Sequence, residues 1–206
     1  MRKILVACEY SGIVRDAFTR IGWDSRSCDI LPTESEGHHY QGSIFDLFDD
    51  WSLIGWDSPP DMMIAHPPCT YLATSGIHWN KKRPERAELT DEAIEFVRKL
   101  MDADIPMIAI ENPRSVISSR IRPANQLVHP YHFGEPISKG ICLWLKGLPN
   151  LVPTNDVREE VMSKPLRERW PEFYLPPGPE RQKARSKFFV SVADAMANQW
   201  GYLLHG

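Results

Sequence analysis

A cysteine that directly follows two prolines is the residue of this chain best placed for nucleophilic chemistry. The apolar run Asp61–Ala65 has the character of a β-strand and is followed by His66, Pro67, Pro68 and Cys69. Two adjacent prolines donate no ladder hydrogen bonds and each fixes its own φ, so the strand must end before Cys69. This places the thiol at the carboxyl end of a strand, where open α/β sheets bind ligands. Cys69 is then either a nucleophile or a small buried residue after a turn.

A carboxyl group follows the next candidate strand in the same way. Met107–Ile110 is short and apolar, and Glu111, Asn112 and Pro113 come directly after it. If the two strands are neighbours in one sheet, the Cys69 thiol and the Glu111 carboxyl group face one crevice. A thiol beside a protonatable carboxyl group suits attack on an electron-poor ring, because the acid neutralises the charge that develops. The alternative for Glu111 is a structural carboxylate that holds loop backbone.

Short apolar runs alternate with segments of helical periodicity along most of the chain. The predicted strands are Ile4–Cys8, Trp23–Cys28, Asp61–Ala65, Met107–Ile110 and Gly140–Leu145. The predicted helices are Val14–Ile21, Leu89–Ala103 with Thr90 as its N-cap, and Val190–Leu204. Strands that alternate with helices predict right-handed crossovers and an α/β fold, in which helices cover both faces of a mostly parallel sheet.

Residues 148–188 interrupt the alternation, since prolines and aromatic residues are interleaved there. We expect irregular structure with a short helix near Ser163–Trp170, packed over the sheet by its aromatic side chains. Residues 1–206 are interpreted as a single domain that contains this irregular proline-rich insertion.

Composition limits the classes of protein that fit. The chain has 206 residues, of which 42% are hydrophobic, and this length suits one substantial core. Its net charge of −3 argues against a protein that coats nucleic acid through a strongly positive surface. No apolar run approaches membrane-spanning length, and Glu9 and Asp16 interrupt the N-terminal run too early for a secretory signal. We therefore expect a cytoplasmic protein with reduced cysteines and no metal site.

Two short basic segments are candidates for contact with phosphate groups. Lys81, Lys82 and Arg83 follow Trp79 on the segment after Cys69. The run from Arg181 to Lys187 contains cations and no acids. The alternative for the first segment is an exposed basic turn, and for the second a solvated surface.

Taken in order, these residues resemble the motifs of the DNA cytosine-C5 methyltransferases, which use S-adenosylmethionine (AdoMet). Pro67-Pro68-Cys69 resembles the nucleophile motif of that family, and Glu111-Asn112-Pro113 resembles its Glu-Asn-Val motif. The segment Phe133–Pro136, followed by Lys139, is similar to the Gly-x-Pro region. The resemblance implies a Rossmann-like class I AdoMet methyltransferase sheet.

The same resemblance implies which residues bind the cofactor. Tyr10, Ser11 and Gly12 match the turn that holds the methionine part of AdoMet, and Asp29 matches the acid that takes the ribose hydroxyls. The pair Ser43-Ile44 resembles the motif beside the adenine, with Ser43 in place of an acid, and Pro67 also borders the cofactor.

The implied reaction is methyl transfer to C5 of cytosine in DNA. Cys69 adds to C6 of the ring, Glu111 protonates N3, and Asn112 fixes the loop. Lys139 helps to hold the thiolate, whose formation needs nearby positive charge. His66 stands where the family has a small residue, and it is interpreted as a contact to substrate or thiolate, or as a loop histidine bonded to backbone. Lys81, Lys82 and Arg83 are the candidate contacts to the DNA backbone.

The chain departs from the family in ways that leave the substrate open. Ile137 and Ile141 replace two polar positions of the Gly-x-Pro region, and the insertion is too short for a separate target-recognition domain. Single- or double-stranded DNA, a free cytosine nucleotide, and a separate specificity partner therefore remain open. Two alternatives stand beside DNA methylation: modification of free nucleotides or transfer of another group, and a catalytically silent binding protein with the AdoMet fold.

Overall fold

The computed structural model describes residues 1–203, within which seven strands form one sheet. The strands are β1 (Lys3–Ala7), β2 (Asp24–Asp29), β3 (His39–Gln41), β4 (Met62–Ala65), β5 (Met107–Asn112), β6 (Gln126–Val128) and β7 (Ile141–Lys146). Their order across the sheet is β3-β2-β1-β4-β5-β7-β6. β7 runs antiparallel to β5 and β6, whereas the other neighbouring pairs are parallel. The predicted mostly parallel α/β sheet is confirmed.

The helices lie between and after these strands. They are α1 (Ile13–Arg20), α2 (Ile44–Asp49), α3 (Pro84–Met101), α4 (Ile117–Arg120), α5 (Arg158–Ser163), α6 (Leu166–Arg169), α7 (Pro179–Ser186) and α8 (Val190–Trp200). Short 3-10 helices cover Trp51–Ile54, Thr74–Lys81, Pro130–His132 and Pro171–Phe173.

The sheet separates two apolar layers. In β1, Ile4 and Val6 point into one layer and Leu5 and Ala7 into the other, because successive strand side chains face opposite sides. Helices α1 and α8 pack on the first face, and α2, α3 and α4 pack on the second. Helices thus cover both faces, as predicted, and the loops at the carboxyl ends of β1, β2, β4 and β5 are left to build a site.

The third helix begins earlier than predicted. α3 starts with Pro84 rather than Leu89, since proline is well tolerated in the first turn, where its missing N–H has no helical partner. The prediction that Thr90 is the N-cap was wrong. Thr90 lies inside the helix with 1% of its surface exposed, and its hydroxyl lies 3.0 Å from the carbonyl oxygen of Arg86.

The insertion has more helix than predicted and packs differently. The short helix expected near Ser163–Trp170 is present as α6, and α5 and α7 lie on either side of it. The aromatic side chains were expected over the sheet, but Phe173 and Tyr174 are 43% and 44% exposed. The packing prediction was wrong for these two rings, whereas Trp170 is half-buried and its ring centroid lies 4.9 Å from that of Phe173.

Hydrogen bonds and ion pairs tie the insertion to the rest of the domain. The Tyr10 hydroxyl lies 2.6 Å from Ser186 Oγ, and the amines of Lys183 and Lys187 both pair with Glu34. Ser138 N–H also donates to the carbonyl of Arg169. The insertion therefore lies against the loops after β1 and β2.

The predicted terminal helix Val190–Leu204 is observed as α8, which ends at Trp200. Leu204 lies outside the described residues. The Trp200 side chain is fully buried, and its indole N–H donates to the carbonyl of Pro149 over 3.0 Å. In the part of the chain that the structure describes, no helix combines the length and apolarity needed to cross a membrane.

Candidate active site

The loop that carries Cys69 starts where β4 ends. β4 stops at Ala65, Pro67 is buried, and Cys69 is exposed. The backbone amides of Leu72 and Ala73 both donate to the carbonyl of Cys69, at 3.1 and 2.9 Å, and so close a turn behind it. The proline pair ends the strand, and the turn holds the thiol at the carboxyl edge of the sheet, as predicted.

The end of the neighbouring strand holds this loop in place. β4 and β5 pair directly, with Ala65 opposite Ile110. The Asn112 side chain is 1% exposed, and its amide nitrogen donates to the carbonyl of Pro67 over 2.8 Å. Glu111 and Asn112 belong to β5 itself, whereas the sequence placed them just after the strand. Asn112 therefore connects the strand that carries Glu111 to the loop that carries Cys69.

His66 joins the same group through a direct bond to Glu111. Its Nδ1 lies 3.0 Å from Glu111 Oε2, and the two side chains are 12% and 16% exposed. The imidazole ring also packs on Phe188, with 4.7 Å between ring centroids. The other ring nitrogen, Nε2, is buried without a hydrogen-bond partner among the described residues. Sequence reasoning missed Phe188, which follows α7 in the insertion.

The thiol of Cys69 responds to the charges around it. Burial of the sulfur by neighbouring atoms raises the thiol pKa, although the residue as a whole is exposed, and the negative charge of Glu111 raises it further. The positive charges of Arg185 and Lys139 act in the opposite direction. Lys139 Nζ also donates to the carbonyl of Arg185 over 3.1 Å. The structure thus brings Lys139, Glu111 and α7 together around Cys69.

The other three thiols lie in less reactive surroundings. Burial raises the pKa of Cys28 to about 12, with Asp29 and Asp46 adding to the effect. Burial also raises the pKa of Cys8 and of Cys142. Because a thiolate is the nucleophilic form, and Cys69 is the one exposed cysteine within residues 1–203, Cys69 is the thiol that a substrate can reach.

The loop after β1 contains two residues in the left-handed region of backbone conformation. Gly12 has φ of 74° and begins α1, and Cys8 is a non-glycine residue with φ of 58°, a conformation that usually persists for a structural or functional reason. Tyr10 reaches α7 through its hydroxyl, and the Ser11 hydroxyl lies 3.4 Å from Glu9 Oε1.

Glu9 occupies the start of α1 and was missed by the sequence reasoning. Its carboxylate is 4% exposed and accepts hydrogen bonds from the backbone amides of Val14 and Arg15, at 2.7 and 3.2 Å. Free N–H groups at a helix start attract an anion, which explains this position. The available signal was an acid directly between an apolar strand and a helix.

Asp29 ends β2 and lies near this loop. Burial raises the pKa of the Cys8 thiol, and the negative charge of Asp29 raises it further. One of its carboxylate oxygens accepts from the Leu31 amide at 2.9 Å. Ile30 and Leu31, which follow it, are 75% and 49% exposed. An acid followed by exposed apolar side chains fits the hydroxyls of a ribose and the face of a purine ring. By this chemistry the residues fit AdoMet.

Ser43 and Ile44 have clear structural roles at the start of α2. The Ser43 hydroxyl accepts from the Phe45 amide, and the Asp46 carboxylate accepts from the Ser43 amide, which forms a capping box. Ile44 is 4% exposed and belongs to the core. Contact of these two residues with a cofactor stays a prediction.

The basic segment after Cys69 surrounds an exposed indole. Lys81 ends the 3-10 helix Thr74–Lys81, and Lys82 and Arg83 follow it; all three are exposed. The cationic groups of Lys82 and Arg83 lie 5.3 and 5.5 Å from the centroid of the Trp79 ring. These residues form a cationic and aromatic surface on the segment that continues from the Cys69 loop.

Comparison with known proteins gives a weak structural match and no family. No protein-family model matches the chain, and neither does any curated protein. One matching solved structure is an E. coli protein described as a proposed DNA modification methyltransferase encoded within a prophage. It is 14% identical with a TM-score of 0.42, and the match covers 75% of this chain and 53% of that one, so the chain spans about half its length. The sheet itself is mostly parallel and has helices on both faces, which is the α/β class expected from the sequence.

Proposed function

We propose that the protein transfers a methyl group from AdoMet to C5 of cytosine in DNA through a covalent bond between Cys69 and C6. The observation that supports this most is the meeting of a thiol and a carboxyl group at the ends of β4 and β5. Asn112 links the two strand ends, and the negative charge of Glu111 acts directly on the Cys69 thiol. The loops after β1 and β2, with Asp29, form the cofactor side of the same sheet edge.

Each of these residues has a separate role in the proposed reaction. The Cys69 thiolate forms a bond to C6, the π pair of C5=C6 moves to C4–C5, and the π pair of C4=N3 moves to N3, which takes a proton from the acid form of Glu111. When bound, AdoMet would supply the electrophilic methyl group for C5, its S–CH3 bond would break, and a neutral thioether would leave. A base then removes the C5 proton, the C6–S bond breaks, and N3 returns its proton to Glu111. Lys139 and Arg185 favour the thiolate against the opposing effects of burial and Glu111.

DNA is the proposed substrate because of the surface that continues from the nucleophile loop. Trp79 is 43% exposed and stands beside the cations of Lys82 and Arg83. Aromatic faces stack with bases and cations bind phosphates, so this combination suits a nucleic-acid strand. In duplex DNA the target base must leave the stack to reach Cys69.

The test is transfer of label from AdoMet to DNA or to dCMP by the wild type and by Cys69→Ala. Label in DNA that disappears in Cys69→Ala supports the proposal. Label in dCMP instead points to a nucleotide-modifying enzyme, and AdoMet binding without transfer to either points to a binding protein. Cys28→Ala is the matched control, since that thiol is buried and is expected to leave transfer intact.

A second experiment identifies the nucleophile. DNA that contains 5-fluorocytosine is expected to become covalently attached at Cys69, because fluorine at C5 blocks the final elimination. Methyl transfer without this adduct would contradict the assignment of Cys69 and would require another nucleophile or another target atom.

A further inference from the structure

His66 lies between the end of β5 and the loop that follows β1. Its Nδ1 is 3.0 Å from Glu111 Oε2 at the end of β5. On the β1 side, the backbone amide of His66 donates to the carbonyl of Ala7 over 2.9 Å, and Glu9 lies in the loop that follows Ala7. The position between the cofactor loop and the proposed acid is therefore occupied by an imidazole.

The surroundings of the ring indicate which nitrogen carries the proton. Nε2 is buried and has no hydrogen-bond partner among the described residues, so a proton there would be left without an acceptor. Nδ1 faces a carboxylate oxygen at hydrogen-bond distance. The neutral ring with its proton on Nδ1 satisfies this arrangement, and Phe188, which packs on the ring, keeps it in this orientation.

We propose that His66 is a positioning residue for Glu111, and this proposal rests on the function proposed above. The Nδ1–H group holds Oε2 of Glu111 and leaves Oε1 for the cytosine. The proton on Oε1 moves to N3 as the sulfur of Cys69 bonds to C6. The carboxylate that results keeps its hydrogen bond from Nδ1–H, and it takes the proton back from N3 when the thiolate leaves. His66 itself loses no proton in the cycle.

The kinetic test uses a pair of substitutions that separate the hydrogen bond from the ring. His66→Ala removes the donor, whereas His66→Asn retains an N–H group near the position of Nδ1. A lost hydrogen bond to a charged group predicts a fall in kcat of roughly 10- to 100-fold for His66→Ala, with KM for AdoMet unchanged. His66→Asn is expected to recover activity to within about fivefold of the wild type. His38→Asn is the control, because His38 is exposed and its charge affects the pKa of Asp24. Asp24 begins β2, at the end of that strand away from the site.

The outcomes that overturn the proposal are specific. An unchanged kcat in His66→Ala shows that Glu111 needs no such support. Equal losses in the two variants show that the ring acts by packing on Phe188 rather than by donating. Thermal unfolding of each variant separates a loss of activity from a loss of folded protein.

A spectroscopic test keeps this proposal distinct from the proposed function. Nuclear magnetic resonance of the labelled imidazole is expected to show the Nδ1–H tautomer in the wild type, and loss of the protected Nδ1–H signal in Glu111→Ala. A wild-type ring with its proton on Nε2 refutes the pairing whether or not the enzyme methylates cytosine. Conversely, a protected Nδ1–H signal in a protein that shows no Cys69-dependent methyl transfer would support the His66–Glu111 pair and contradict the proposed methyltransferase function.

Discussion

Substitution of Asn112 by aspartate is expected to make the stability of the fold depend strongly on pH. The side chain of Asn112 is 1% exposed, and its Nδ2 donates to the carbonyl of Pro67 over 2.8 Å. An aspartate has nearly the same shape, but when ionised it has no proton to donate to that carbonyl. The substitution thus changes hydrogen bonding and charge while it leaves packing nearly constant.

The magnitude follows from the burial of the site. In the Asn112→Asp variant, burial and the neighbouring Glu111 both disfavour the charged form of the new carboxyl group, and only its neutral form can donate to the Pro67 carbonyl. Its pKa in the folded protein therefore lies above the unfolded value of about 3.9. A raised folded pKa means that stability is retained below the unfolded pKa and is lost as pH rises toward the folded pKa. If the folded pKa is raised by about three units, the loss at pH 8 is about 4 kcal/mol.

Asn112→Ala is the contrasting substitution. It loses one buried hydrogen bond and leaves the Pro67 carbonyl unpaired, but it also removes the Asn112 Oδ1 atom, which is buried without a partner among the described residues. The number of unpaired buried groups is unchanged. The expected cost is therefore about 1–2 kcal/mol at every pH, while methyl transfer falls more steeply because the Cys69 loop loses its anchor.

Urea unfolding at pH 5 and pH 8 measures both effects. Asn125→Asp is the matched control, because Asn125 is exposed and its Oδ1 accepts from Arg122 and from the amide of Leu145, contacts that a carboxylate keeps. If Asn112→Asp is as stable as the wild type at pH 8, or if its loss of stability does not diminish at pH 5, the buried bond to Pro67 is not formed.

Three further predictions concern the thiol, a helix cap and the core. Arg185→Gln is expected to slow the alkylation of Cys69 by iodoacetamide severalfold at pH 8, because loss of this positive charge raises the pKa of the thiol. Arg181→Gln on the same helix is the control, and equal alkylation rates in the two variants would exclude the effect. Ser43→Ala is expected to cost about 1 kcal/mol in urea unfolding through loss of the α2 cap, and an unchanged midpoint would argue against that cap. Trp200→Ala is expected to cost about 3–5 kcal/mol, measured as a lower thermal midpoint, and a loss below 1 kcal/mol would contradict the complete burial of this ring.

Local backbone chemistry was enough to predict where the nucleophile lies. The proline pair could not continue a strand, so the end of β4 and the position of Cys69 at the sheet edge followed from residues within a few positions of each other. The apolar runs likewise predicted the longer strands and helices. Short strands such as His39–Gln41 carry too few apolar residues to be found in this way.

Several features of the site arise only from contacts between distant segments. Nothing near His66 in the chain indicates its bond to Glu111, which is 45 positions away. The approach of Arg185 and Phe188 to the same site depends on how the insertion packs. Local sequence patterns could not predict these contacts, because the same patterns are compatible with many tertiary arrangements of the chain.

The sequence by itself determined the α/β class, the order of most elements, and the strand ends that carry Cys69 and Glu111. These features depend on backbone restrictions and on the period of apolar residues, both of which operate over short distances along the chain. Tertiary structure alone decided that β7 runs antiparallel between β5 and β6, that His66 bonds to Glu111, and that Arg185 approaches the thiol. The reason is that pairing and electrostatic interactions depend on distance in space, which only the packed chain defines.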